Sequence, residues 1–149
     1  MSRQRYRSKT VAAWLALLGG SFGLHRFYLY GVRDLWGWLH PWPTLVGLYG
    51  VRRMLTLGQD DQLAWLLIPM LGLMLAGTML MAIIHGLTPD DQWNARFNPQ
   101  GPAHRTGWAT VIAVVLSLLI GGAVLMATIA FSGQHYFEYQ VEEAKKLSQ

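Results

Sequence analysis

The chain has 149 residues, of which 52% are hydrophobic and 13% are charged, whereas about 25% of residues are charged in an ordinary soluble domain. The apolar residues stand in blocks, which favours a membrane-embedded helical bundle over a soluble globule. The formal net charge of +4 comes from basic residues grouped at the ends of those blocks, so we expect no nucleic acid as a partner. The absence of cysteine excludes a disulfide framework, a thiol nucleophile and a Cys-ligated metal site.

The first apolar block, Val11 to Leu24, is short for a membrane crossing, since it would rise about 21 Å as a helix against a hydrocarbon thickness of roughly 30 Å. We therefore expect His25 to Tyr30 to enter the membrane interface, where Arg26 can direct its guanidinium toward the headgroups. Asp34 is the nearest acid that could pair with Arg26 or Arg33. A cleaved signal peptide over residues 1–21 is the alternative, and it is disfavoured because the residues that follow remain membrane-like.

The second block, Leu35 to Val51, contains Pro41 and Pro43, which remove backbone donors and predict either a broken span or a re-entrant segment. The positive-inside rule distinguishes the two. Four spans with both termini in the cytoplasm place eight basic residues inside and four outside, whereas a second block that does not cross gives six against six. The inside set of the four-span topology is Arg3, Arg5, Arg7, Lys9, Arg52, Arg53, Lys145 and Lys146, and the outside set is Arg26, Arg33, Arg96 and Arg105.

The last two blocks, Leu63 to Ile84 and Trp108 to Phe131, contain no charged residue and are each long enough to cross a bilayer. The sequence thus predicts an all-α integral membrane protein with four transmembrane helices in two hairpins, the second helix being broken by prolines. Its predicted parts are a basic cytoplasmic N-terminus (1–9), a first hairpin (10–57), a second hairpin (58–131) with an outer loop (87–107), and an amphipathic cytoplasmic tail (132–149).

Small residues recur at helical spacing and predict the faces on which the helices pack. In the first and last apolar blocks these candidate packing residues are Ala12, Ala16, Gly19, Ala113, Ser117 and Gly121. We expect packing within one chain in preference to a dimer interface, and a homo-oligomer stays open.

The outer loop contains Thr88-Pro89-Asp90-Asp91, a pattern typical of a helix start with Thr88 as the N-cap. In such a helix Trp93 and Phe97 share a face, which can lie on lipid or against the turn of the first hairpin. We interpret this face as a candidate contact surface for a protein partner; a capped connector lying on lipid is the alternative.

The sequence contains none of the motifs HExxH, GxSxG, P-loop or Rossmann, so we expect no enzyme and no cofactor. No two of the five histidines lie three or four residues apart, which disfavours a metal site. A site made of His25, His85 and His104 is the alternative, because the four-span topology places all three near the outer face.

The segment from Lys9 to Arg33 carries Gly20-x-x-Gly23-x-His25-Arg26-Phe27-Tyr28-Leu29 after an apolar run. It resembles the two-transmembrane (TM-2) domain family, whose members have two helices joined by a short loop with an (Asp or His)-Arg-Phe motif. The resemblance implies a family hairpin, extended here by a second hairpin, with Gly20, Gly23, His25, Arg26, Phe27 and Tyr28 as the motif residues. The glycine that usually follows Tyr-Leu is displaced to Gly31, and the acidic residue often found near the end of the second helix is missing.

These patterns predict a non-enzymatic integral membrane protein that serves as an accessory, assembly or regulatory partner of another membrane component. We expect its surroundings to be the lipid bilayer of a bacterial inner membrane or a plasma membrane. The alternative is a small oligomeric channel or carrier, in which irregular backbone at Gly37, His40, Pro41 and Pro43 would line a water-filled path.

Overall fold

The computed structural model describes residues 6–148, which form helices and connecting turns without any strand, so the predicted all-α class is confirmed. A 3₁₀ turn at Gly20–Phe22 separates the first two helices. The α-helices are α1 (Lys9–Gly19), α2 (Leu24–Tyr30), α3 (Leu35–Leu39), α4 (Pro41–Leu57), α5 (Gln62–Leu87), α6 (Asp90–Phe97) and α7 (Trp108–Leu147).

The first apolar block folds back on itself. Helix α1 is 11 residues long and ends at the 3₁₀ turn, after which Gly23 takes a left-handed conformation with φ = 78° and starts α2. The backbone N–H of Ser8, the N-cap of α1, donates to the Tyr28 hydroxyl at 2.8 Å, so α2 returns beside the beginning of α1. The prediction that this block is a transmembrane helix is therefore wrong, because the chain reverses after about three helical turns.

The second block is divided at His40, directly before the prolines. The dihedral angles of His40 are nevertheless helical (φ −63°, ψ −42°), and Pro41 and Pro43 lie in the first turn of α4, where a missing N–H does not cost a helical hydrogen bond. The predicted break is thus a local interruption between α3 and α4, with no stretch of irregular backbone.

Two helices, not the predicted four, are long and apolar enough by themselves to cross a membrane: α5, with 26 residues, and α7, with 40. Helix α7 continues without interruption through the predicted tail as far as Leu147. In that tail i, i+4 spacing suggests an ion pair between Lys146 and Glu142. The structure instead pairs Lys146 with Glu143, three residues before it, at 2.8 Å.

The predicted small residues lie in the packed interior. Ala12, Ala16, Ala113 and Ser117 are fully buried, together with Ala82 of α5. A Cβ at Gly121 would lie 2.9 Å from Met79, so α7 approaches α5 closely there. Gly19, by contrast, faces Leu24 of its own hairpin, where a Cβ would lie 2.3 Å from a side-chain methyl group.

Each end of the bundle is held by side-chain contacts. At one end the α4–α5 turn is held by Arg53 and Asp61, whose Nε and Oδ2 are 2.8 Å apart, and Trp65 stacks on His135 of α7 with ring centroids 4.4 Å apart. At the opposite end residues 6–9 contact the α5–α7 connection. The basic N-terminal segment and the predicted outer loop 87–107 therefore lie at the same end, which contradicts their predicted placement on opposite sides; residues 1–5, including Arg3 and Arg5, are outside the described residues.

We predict that Gly23→Ala prevents the hairpin from forming. A Cβ there would lie 2.2 Å from the Gly37 carbonyl oxygen, a backbone atom that cannot rotate away, and the left-handed conformation would add roughly 1–2 kcal/mol of strain. Thermal unfolding of the purified chain in detergent should show a large fall in Tm. The matched control is Gly133→Ala, a helical position with no atom within 4 Å of the new Cβ, which should leave Tm unchanged or raise it; equal effects of the two substitutions would contradict the prediction.

Candidate functional site

Three histidines from different parts of the chain meet at the end of the bundle that carries the N-terminus. His25 lies in the first turn of α2, His40 stands between α3 and α4, and His85 lies two residues before the end of α5. The ring centroid of His25 is 5.4 Å from that of His40 and 5.9 Å from that of His85. The reversal at Gly23 produces this cluster, because it returns the chain to α5 and α3 immediately before His25.

His25 is the central member of the cluster and is 2% exposed. Its Nδ1 is buried and has no hydrogen-bond partner among residues 6–148. His40 differs, since its Nδ1 donates to the Trp36 carbonyl at 2.6 Å, and His85 lies edge-on to Trp93. A buried polar atom without a partner is costly in a folded protein, so His25 is the candidate functional residue of this cluster.

The predicted alternative of His25, His85 and His104 is wrong about its third member. His104 Nδ1 is hydrogen-bonded to the Tyr6 hydroxyl at 2.8 Å. The Asn94 side-chain amide donates to the His104 carbonyl and accepts from the His104 N–H. His40 takes the place predicted for His104 beside the other two histidines. Within residues 6–148 no group of three or more His, Cys, Asp or Glu side chains is arranged to hold a metal ion.

Two further motif residues connect α2 to α3. Arg26 forms a two-pronged ion pair with Asp34, with nitrogen to oxygen distances of 2.6 and 3.1 Å. Asp34 also caps α3 by accepting from the Gly37 N–H at 2.9 Å, and these contacts hold the pKa of its carboxyl group below the usual value. Phe27 packs on Trp38, with ring centroids 5.1 Å apart, so Arg26 and Phe27 have a structural role.

Gly20 and Tyr28 of the motif are explained by close contacts with other parts of the chain. A Cβ at Gly20 would lie 2.5 Å from Thr78 of α5, which brings the tip of the hairpin against that helix. The Tyr28 hydroxyl accepts from Ser8, and the Arg7 guanidinium lies 5.2 Å from the centre of the Tyr28 ring. His25 is therefore the one motif residue whose polar atoms the fold leaves without a partner.

A buried ion pair fixes the N-terminal segment to the α5–α7 connection. The ammonium of Lys9, a residue that is 1% exposed, donates to the Thr88 carbonyl at 2.7 Å and to the Asp90 carboxylate. Thr106 adds two donors to Asp90 through its backbone N–H and its hydroxyl. The Lys9 hydrogen bond, followed by those of Thr106, holds the pKa of Asp90 well below its usual value.

Side-chain to backbone bonds extend this connection. The Asn98 amide accepts from the Arg7 N–H at 2.8 Å and donates to the Arg7 carbonyl at 3.1 Å, while the Trp93 indole donates to the same carbonyl at 2.9 Å. In the sequence Asn98 stands before a proline, which suggests only the end of a helix. Nothing in the sequence indicated that its side chain would bond the backbone of Arg7, 91 positions earlier. Thr88 likewise does not cap α6 as predicted, since its hydroxyl donates to the Ile84 carbonyl at the end of α5.

The predicted contact face of α6 is used within the chain. Trp93 is 1% exposed and packs with Ala12 and Leu29, while Phe97 lies 6.1 Å from Tyr30, centroid to centroid. Of the two predicted arrangements, the face lies against the first hairpin. Trp93 therefore presents no surface to a partner in this conformation.

We predict that the two members of the Lys9–Asp90 pair differ in how much their removal costs. Asp90→Asn leaves an almost fully buried ammonium without its counter-charge and should lower the free energy of unfolding by about 3 kcal/mol. Lys9→Met leaves a carboxylate that is one-third exposed and still bonded to Thr106, and should cost about 1 kcal/mol. Denaturant unfolding in detergent checks the order, and a larger loss for Lys9→Met would contradict it.

Comparison with other proteins does not assign this chain to a family. No family model matches it, and neither a curated protein nor a solved structure matches it. The resemblance of the segment from Lys9 to Arg33 to the TM-2 domain family therefore stays a prediction.

Proposed function

We propose that this chain is a non-enzymatic integral membrane protein that assembles with, or regulates, another membrane component through a groove between α5 and α7. Few residues of either helix are enclosed by the rest of the chain, since 17% of the most apolar window of each is buried inside the fold. The core helix of a soluble protein would be mostly buried, so this exposure supports a lipid environment.

The groove is the observation that carries the proposal. Its volume is about 360 Å³, and small residues of both helices form its wall, among them Gly77 of α5 and Gly122 of α7. A Cβ at either glycine would meet no atom within 4 Å, so these two glycines pack against nothing within the described chain. Small residues let a neighbouring backbone approach closely in a membrane, and we propose a transmembrane helix of the partner as the occupant.

The alternative of a small oligomeric channel depended on irregular backbone around His40. The dihedral angles of His40 are helical, and Gly37 lies against the Phe27 ring. Neither feature supplies the open backbone groups that a water-filled path would use, and we therefore favour the assembly role.

The proposed topology has three crossings. Helix α4 packs along α5, with Gly47 against Leu71 and Gly50 against Leu67. Helices α3 and α4 together run from residue 35 to residue 57, which is long enough to cross a bilayer. The hairpin of α1 and α2 is then re-entrant, entering and leaving at one face.

Basic residues orient this arrangement. Among the described residues, the end that carries the N-terminus has six arginines and lysines and the opposite end has four. The first set is Arg7, Lys9, Arg26, Arg33, Arg96 and Arg105, and the second set is Arg52, Arg53, Lys145 and Lys146. By the positive-inside rule, we propose that residues 6–9 and the loop 87–107 face the cytoplasm and that α7 ends on the outer side.

This topology is testable with single cysteines, because the chain has none of its own. We expect Tyr6→Cys and Ala103→Cys to react with a membrane-impermeant maleimide only after permeabilisation. Asp60→Cys and Ser148→Cys should react in intact cells. Opposite accessibility of Tyr6→Cys and Ala103→Cys would restore the four-span topology and overturn the re-entrant hairpin.

We predict that Gly122→Leu disrupts partner binding without unfolding the chain. The larger side chain fills the groove, and overpacking of this kind costs enough to weaken association about tenfold. The measurement is quantitative recovery of a stoichiometric membrane partner with the tagged chain after mild extraction from its own membrane.

Gly133→Leu is the matched control, since it makes the same change on the same helix at a position outside the groove where the new Cβ meets nothing. Tm in detergent should be similar for both variants. Equal recovery of the partner with both would overturn the groove as the docking surface, and recovery of a homo-oligomer alone would replace the hetero-assembly role by self-association.

A further inference from the structure

A second cavity, separate from the groove, lies between α2, α5 and α6 at the end that carries the N-terminus. Its volume is about 210 Å³, which is more than a single bound water needs. The described side chains that line it include no Asp or Glu. Its polar lining includes the side chains of His25, Arg26, Tyr30, His85, Gln92 and Arg96.

The cavity is built around His25. This side chain is 98% buried, since its exposure is 2%, and it belongs to the cavity wall together with His85. No hydrogen-bond partner for His25 Nδ1 exists within residues 6–148. The His25 ring thus forms part of the cavity wall, while its Nδ1 is enclosed by the fold.

Two guanidinium groups contact Tyr30 at the cavity. Arg26 lies 5.0 Å from the centre of the Tyr30 ring, and Arg96 donates to the Tyr30 hydroxyl at 3.0 Å. Asp34 neutralises Arg26. Arg96 forms no ion pair with a carboxylate of the described residues, which leaves the cavity with one uncompensated positive charge.

We propose that this cavity binds a phosphate-bearing anion, with Arg96 as its charged donor and Gln92 as a neutral donor. Guanidinium groups bind phosphate oxygens through two parallel hydrogen bonds, and one positive charge matches the single negative charge of a phosphodiester. The anion is the headgroup phosphate of an acidic phospholipid or a soluble phosphate ester. The position of the cavity beside the last turn of α5 would place it at the depth of lipid headgroups when α5 crosses the bilayer.

Arg96→Gln tests the proposal, because Arg96 is exposed and its replacement leaves the buried contacts of α6 intact. The full chain is reconstituted in phosphatidylcholine nanodiscs that contain phosphatidylglycerol, and lipids retained after release are counted by native mass spectrometry. We expect one phosphatidylglycerol per wild-type chain and about tenfold weaker retention in Arg96→Gln, as the loss of a charged hydrogen bond predicts. Arg96→Lys keeps the positive charge but loses the planar guanidinium with its two parallel donors, and it should retain an intermediate amount of phosphatidylglycerol.

Arg105→Gln is the matched control, since it removes another exposed arginine of the same connection that does not line the cavity. A second arm titrates inorganic phosphate into the chain in phosphatidylcholine alone. Retention of lipid that depends on Arg96 identifies the lipid source, and phosphate binding that depends on Arg96 without lipid retention identifies the soluble source. Equal behaviour of Arg96→Gln and Arg105→Gln in both arms, or no binding in either arm, would overturn the site, whatever the outcome of the partner experiment on α7.

Discussion

The contact between Gly23 and Gly37 is the constraint on which the rest of the structure depends. The Gly37 carbonyl occupies the space that a Cβ at Gly23 would need. The backbone of the first hairpin therefore packs directly on the backbone of α3, with no side chain between them. The left-handed conformation of Gly23 ends the 3₁₀ turn and sends α2 back along α1. His25, Arg26 and Phe27 follow at once, so this one approach sets the histidine cluster and the ion pair with Asp34.

Reversal of the chain also explains why a lysine can be buried at the start of an apolar helix. A helix that crossed the bilayer at this point would carry Lys9 to a water-exposed interface, where it would need no counter-charge. The returning hairpin instead places Ala12, Leu29 and Trp93 together, and Lys9 is enclosed next to Asp90. Burial of the ammonium thus follows from the packing of α6 on the hairpin, and the ion pair then fixes the two segments at one end of the bundle.

Local patterns predicted the parts of this fold that depend on local physics. The apolar lengths of α5 and α7 and the small residues Ala113 and Ser117 facing the interior were predicted from the sequence. Asp34 was predicted to pair with Arg26 or Arg33, and the structure shows the pair with Arg26. The topology was not, because an apolar run interrupted by glycines has the same composition whether it crosses or folds back. The Lys9–Asp90 pair, the meeting of His40 with His25, and the role of Arg96 depend on tertiary contacts across 15 to 81 positions, for which one sequence carries no periodic pattern.

Helix α5 connects the two surfaces proposed here and keeps them distinct. Gly77 faces the groove shared with α7, and His85 faces the cavity shared with α2 and α6. Eight residues of helix separate them, a rise of about 12 Å, so the groove lies deeper than the cavity if α5 crosses a bilayer. An apolar groove without a partner for its glycines fits another helix in hydrocarbon, whereas an arginine without a carboxylate partner fits an anion at the headgroup level. The change in environment along one helix is sufficient to give the two surfaces opposite chemistry.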